Sequence, residues 1–205
     1  MIINARKQTG FTLIELVLVV VILGLLAVTA IPKFLDLTDQ AENANIEGMA
    51  GGFATAVALV RAQWEAEGRP KNLTNQNTVI YDGTTLVLTS EDTANGIRPG
   101  YVTGLTDGEN LGGAFGTENC LEIWQNILQQ PPTISSSITD INNGIAAYFV
   151  SKSGTGVSTT CHFYLKQTLV RDASGNYTSP GTNTTIGNSF TYQPATSAVV
   201  VYINQ

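Results

Sequence analysis

The feature that most constrains this chain is an apolar run near its N-terminus. Residues 11–31 carry only Thr12, Glu15 and Thr29 as polar positions. As a helix the run is about 31 Å long, enough to cross the hydrocarbon core of a bilayer. The residues before it include Arg6 and Lys7 and no acid. Basic flanks stay on the cytoplasmic side, so the run is expected to insert with its N-terminus inside and to deliver the chain after Pro32 across the inner membrane. The run also accounts for an odd balance. The 205-residue chain is 43% hydrophobic but only 13% charged, about half the usual share of charge, and the remainder is rich in Gly, Ser, Thr and Asn.

Several function classes are excluded early. A net charge of −6 argues against a basic nucleic-acid-binding surface, so no nucleic-acid partner is expected. One His and two Cys fall short of the four ligands a structural zinc site uses. The sequence contains no G-x-G-x-x-G, P-loop, G-x-S-x-G or H-E-x-x-H. Neither an enzyme nor a cofactor or metal is expected. The length suits one domain, or one domain with an appendage.

The apolar run is open to three readings. One is a secretory signal peptide with its core at 16–26 and a small-residue cleavage site at Val28-Thr29-Ala30; the product would be a secreted binding protein. A second is a plain membrane anchor. The third turns on Glu15. A carboxylate costs roughly 2.5–3.5 kcal/mol at the centre of a membrane helix. Glu15 lies only about 6 Å along the helix from Phe11, so its cost is smaller, yet neither of the first two readings needs it. An intramembrane acid points to a partner. Cleavage between Gly10 and Phe11 would create one, because a free α-amine is cationic near neutral pH and Glu is anionic. The pair forms within one chain or between neighbours.

With these residues in view, Gly10-Phe11-Thr12-Leu13-Ile14-Glu15-Leu16, following a short basic leader, resembles the signature of type IV pilins. The resemblance implies that prepilin peptidase cuts between Gly10 and Phe11 and methylates the new N-terminus. It implies that Glu15 meets a neighbour's Phe11 amine during filament assembly. Pro32 falls at the matching place, where a helix kink is expected. Loss of the leader would remove Arg6 and Lys7 and take the net charge from −6 to −8.

The helical pattern resumes past Pro32. Ile46, Met49, Phe53, Val57, Val60 and Trp64 recur at spacings of three and four, which is one apolar face, and Gly68 and Pro70 stop it. A continuous helix over 11–67 would be about 86 Å long, half in lipid and half against a head. Gly48, Gly51 and Gly52 each weaken it by about 1 kcal/mol relative to Ala. They serve close packing or local unwinding in a filament, or another backbone simply packs there. Gly24 is an interhelical contact or has no role.

Beyond residue 70 the sequence turns strand-like. Residues 79–81 and 84–88 flank Asp82-Gly83, a two-residue hairpin turn. Residues 117–130 read as a short helix with Leu121, Trp124 and Leu128 on one face, Thr117 as its N-cap and Pro131-Pro132 beyond it. Residues 146–151, 160–167 and 198–203 read as strands. The expected fold class is α+β: a long N-terminal helix packed on an antiparallel sheet of about four to six strands. The organisation is a cleaved leader at 1–10, a transmembrane and polymerisation helix at 11–31, its amphipathic continuation at 32–69 and a β-sheet head at 70–205.

Cys120 and Cys161 both lie in the exported part, where an oxidising compartment makes a disulfide the default. A catalytic thiol with His162 is disfavoured, because neighbouring strand residues point to opposite faces. Residues 171–188 read as a long exposed loop. Asn72-Leu73-Thr74, Asn176-Tyr177-Thr178 and Asn183-Thr184-Thr185 match the glycosylation triplet, which arises by chance in such text. Asp107-Gly108-Glu109-Asn110 and Asp140-Ile141-Asn142-Asn143-Gly144 lack EF-hand spacing and read as turns rather than calcium loops.

The function these readings support is a structural pilin that polymerises into a surface filament for attachment. Its expected partners are other copies of itself, prepilin peptidase, the pilus assembly machinery and, before assembly, the inner membrane with the head in the periplasm. The leader, apolar run and short last strand resemble the mannose-sensitive haemagglutinin type. The tract after the second cysteine is longer than the pilin pattern implies. A type II secretion pseudopilin shares the N-terminal motif, but heads of that kind often lack disulfides and bind calcium. A minor pilin is a further alternative.

Overall fold

The structure, a computed structural model, describes residues 10–204. The leader therefore lies outside the described residues apart from Gly10. Two compact units divide the chain, residues 1–41 and 42–205.

In the first unit the helix α1 (Leu13–Ala66) begins. Its start is two residues later than the apolar run, because Thr12 caps it. The helix runs through Pro32 without a break. Its large apolar side chains here are exposed, from Leu13 to Leu37. An 18-residue window of α1 has a mean hydropathy of 2.9 with none of it buried, so the segment is long and apolar enough to cross a membrane.

In the second unit α1 presents the predicted face. Ile46, Phe53, Val57, Val60 and Trp64 are buried, joined by Ala50 and Ala56, and Met49 is partly buried against them. Gly68 ends the helix in the left-handed region at φ 82°. The Arg69 N–H donates to Trp64 O at 2.9 Å and the Gly68 N–H to Glu65 O at 3.1 Å, the double bond of a Schellman turn that satisfies two otherwise orphaned carbonyls.

The head that follows departs from the expected single sheet. A three-stranded sheet is built from β1 (Asn77–Tyr81), β2 (Thr84–Leu88) and β3 (Val102–Gly104) in that order. A five-stranded sheet follows, ordered β4 (Ile134–Ser135), β5 (Tyr148–Ser153), β6 (Thr160–Leu165), β7 (Ser189–Gln193) and β8 (Ala198–Tyr202). All its pairs are antiparallel except β4 with β5. The β1–β2 hairpin is as predicted: Asp82 and Gly83 both adopt positive φ, 46° and 80°, which a two-residue turn matched to strand twist requires.

The helix α2 (Thr117–Ile127) lies between the sheets in sequence, and a short α3 (Ile138–Asn142) precedes β5. Gly116, not Thr117, is the N-cap of α2. Asn119 decides this, because its Oδ1 accepts the Gly116 N–H at 2.8 Å. The helix stops at Ile127 rather than 130, with Leu128 extended, and the indole of Trp124 donates to Pro132 O at 2.9 Å, drawing the proline pair back along the helix. The 171–188 tract is a loop, but an anchored one. Asn142 exchanges two hydrogen bonds with the backbone of Tyr177, and Pro180, Gly187 and Asn188 are buried.

Phe53 is the hub of the core. Its ring lies 5.2–6.3 Å from those of Trp124, Phe163, Phe190 and Tyr192, pairs that each add about 0.5–1.5 kcal/mol beyond burial. Polar ties set the position of α1 against the five-stranded sheet. The Tyr148 hydroxyl donates to Asn45 Oδ1 at 2.6 Å, and Asn188 Nδ2 donates to Asn43 Oδ1 at 2.7 Å. Burial pushes the Tyr148 phenol up to about 12, so this donor keeps its proton through neutral pH.

Candidate assembly site

Gly10, Phe11 and Thr12 lie ahead of the first helical turn. Thr12 O accepts the first bond of the helical ladder, from the Leu16 N–H at 3.2 Å, so Gly10 and Phe11 lie outside the ladder and are exposed, Phe11 at 87%. A β-carbon built on Gly10 would meet nothing within 4 Å. The Gly10–Phe11 bond can therefore enter an extended binding cleft without unwinding α1.

Thr12 and Glu15 form a reciprocal cap. The Glu15 carboxylate accepts the Thr12 N–H at 2.9 Å and the Thr12 hydroxyl at 2.8 Å, while the Glu15 N–H donates to Thr12 Oγ1 at 3.3 Å. This is the capping box, in which the first and fourth residues satisfy each other's orphaned donors. Its S/T-x-x-E signature stands in the sequence at 12–15, a signal that charge and hydropathy alone do not carry. Phe11, Glu15, Leu16, Val19 and Val20 border one shallow apolar groove, so Phe11 and the Glu15 carboxylate lie on the same side of the segment.

Farther along α1, Gly48, Gly51 and Gly52 are exposed, and a β-carbon at any of them would meet nothing within 4 Å. Among the described residues, no other backbone packs there. Gly24 is equally open. Pro32 has no N–H to give to the ladder, yet lies within the helix.

The head holds the other predicted residues. Cys120 on α2 and Cys161 on β6 are bonded, with Cα atoms 5.7 Å apart and both fully buried. His162, as the strand alternation requires, turns to the opposite face; its Nε2 lies 2.7 Å from Ser153 Oγ. The acidic turns are held internally: Glu109 accepts from Gln76 at 2.9 Å and Asp140 from Ser135 at 2.6 Å. Among the described residues, no group of three or more His, Cys, Asp or Glu side chains is placed to hold a metal ion.

A capped acidic helix start, a helix long and apolar enough to cross a membrane and a disulfide-bonded α+β head fit a membrane-anchored precursor of the filament-forming class. The prokaryotic N-terminal methylation motif matches residues 5–31. The fimbrial protein of Moraxella nonliquefaciens is 30% identical over 113 residues, covering 51% of this chain and 72% of that protein. The chain belongs to the type IV pilin family. It is also 49% identical over 64 residues to the type IV narrow pilus major component PilA5 of Thermus thermophilus, covering 31% of this chain and 53% of that protein. To the type II secretion system core protein G of Pseudomonas aeruginosa it is 41% identical over 56 residues, covering 27% of this chain and 39% of that protein. The matched stretches thus span about half or less of these last two relatives. No solved structure gave a significant match.

Proposed function

We propose that this chain is the structural subunit of a type IV pilus. Prepilin peptidase cuts between Gly10 and Phe11 and methylates Phe11. The assembly machinery then draws the subunit from the inner membrane, where its head faces the periplasm, into a helical surface filament used for attachment. The observation that carries this reading is the 10–15 segment: an exposed Gly10–Phe11 bond beside Glu15, in a chain whose family is shown.

Chemistry supplies the sequence of events. In the precursor, Glu15 is held by Thr12 and its charge sits near the membrane surface. After cleavage, the Phe11 amine of a neighbour offers a better partner, because an ammonium–carboxylate bond is stronger than one to a neutral hydroxyl. Moving the apolar span into a filament core exchanges lipid for protein without losing burial, and the cost of an unpaired buried charge fixes the register. Gly48, Gly51 and Gly52 leave room for a neighbour's helix to approach closely.

Replacing Glu15 with Ala tests this. The variant should be cleaved and its head should fold. It should yield almost no filament in sheared surface material, since an uncompensated buried charge costs about 3–5 kcal/mol, more than a hundredfold in an association constant. Wild-type filament yield would refute the role of Glu15.

Within the family, the mannose-sensitive haemagglutinin type is the subclass we propose, on its likeness in leader, apolar run and last strand. A type II secretion pseudopilin is the second reading, favoured by the match to core protein G. The buried Cys120–Cys161 bond favours the pilus. Recovery in the sheared fraction separates the two.

A further inference from the structure

The two sheets have four edge strands, and three are protected. An open edge presents a row of unpaired N–H and C=O groups that templates pairing with another chain, unless it is covered, short, charged or broken by proline. The edge of β1 is covered: the Thr78 N–H donates to Pro70 O at 3.1 Å, Lys71 bridges to Asn77, and Gln63 Nε2 donates to Ile80 O at 2.5 Å. The strand β3 is three residues long and Val102 O accepts the Tyr192 hydroxyl at 3.2 Å. The strand β4 is two residues long and follows Pro131-Pro132.

The strand β8 has none of these devices. Its five residues pair with β7 from Ala198 opposite Gln193 to Tyr202 opposite Ser189. Among the described residues no other hydrogen bond reaches the backbone of 198–203. Residues 188–204 contain no Asp, Glu, Lys or Arg, and the strand has no proline. Val200 is 45% exposed.

We propose that β8 pairs edge to edge with β8 of a second copy, antiparallel, so that two five-stranded sheets join into one. The strand is self-complementary about its middle residue. With Val200 opposite Val200, Val199 faces Val201, and the small Ala198 faces the large Tyr202. That register uses all five residues and keeps each side chain on the face its partner occupies. Charge selects the same contact. Residues 42–205 hold thirteen Asp and Glu against seven Lys and Arg, so two heads repel at most approaches, whereas this edge is neutral.

Subunits in a helical filament all point the same way, and a two-fold contact cannot form between them. If the filament reading holds, β8 therefore joins one filament to another, side by side and antiparallel. The pairing itself does not depend on that reading.

The test uses the full chain, unassembled, in detergent. Val200→Cys is compared with Ile80→Cys, which is similarly exposed but lies on the covered edge of β1. The buried native disulfide is out of reach of either thiol. Under mild oxidant, Val200→Cys should form cross-linked dimers at least about tenfold faster, because pairing raises the local thiol concentration. Equal rates would overturn the proposal. Because no filament is present, that result would leave the role of Glu15 untouched, and loss of filaments on replacing Glu15 would leave this proposal untouched.

Discussion

The Glu15 carboxylate has two donors before any neighbour arrives, both from Thr12. Both bonds fall on Oε2, so in the assembly proposed above a neighbour's Phe11 amine would meet a carboxylate already held in place by its own helix start. At the same scale, His162 gives the head a dependence on pH. Burial holds its imidazole below the ordinary value of 6.5. The folded state therefore binds a proton less readily than the unfolded state. Its contribution to stability is full above the ordinary value and is lost as pH falls through the window below it. Melting of the full chain in detergent should show stability declining as pH falls from about 7 toward 5, with a slope no steeper than about 1.4 kcal/mol per pH unit for one proton. The variant His162→Gln should flatten that slope. An unchanged slope in the variant would assign it to other groups.

Among the elements, the long helix and the hairpin were legible because each carries its own period and its own punctuation. Spacings of three and four marked the buried face of α1, and Asp82-Gly83 marked the turn. What escaped were the strands without such signals. The strand β3 is three residues long, β4 two, and β7 hides Phe190 and Tyr192 at the end of a tract of Ser, Thr, Asn and Gly. The division into two sheets was illegible for a different reason: it depends on which strand edges meet, which no local pattern encodes. The N-cap of α2 is Gly116, one residue before Thr117, and the Asn119 side chain accepts its N–H. Cys120–Cys161 joins α2 to β6, closing a loop of 41 residues. Replacing both with Ala should lower stability by about 4 kcal/mol on the chain-entropy account, seen as a lower melting temperature with the Phe53 core still formed. A loss under about 1 kcal/mol would mean that the aromatic core alone fixes α2.

At the scale of the whole molecule, the chain divides its labour between two kinds of surface. Residues 11–31 expose apolar side chains for lipid or for other copies, while the head from residue 42 onward buries its own core and keeps its charges outward. The motif at 10–15 was the most legible part of the site, since the methylation motif, the acid and the helix start coincide there. The openness of Gly48, Gly51 and Gly52 needed the structure, because a glycine in a helix reads the same whether or not something packs on it. As proposed above, a pilin-type cut and assembly turn this precursor into a filament subunit. The most direct test is the N-terminal sequence and intact mass of the mature protein, taken from membranes and from sheared surface material. A start at Phe11, heavier by one methyl group and present in the sheared fraction, is the predicted result. A start at Ile31 would mean that a signal peptidase had removed the apolar run, and would contradict the account, Glu15 included.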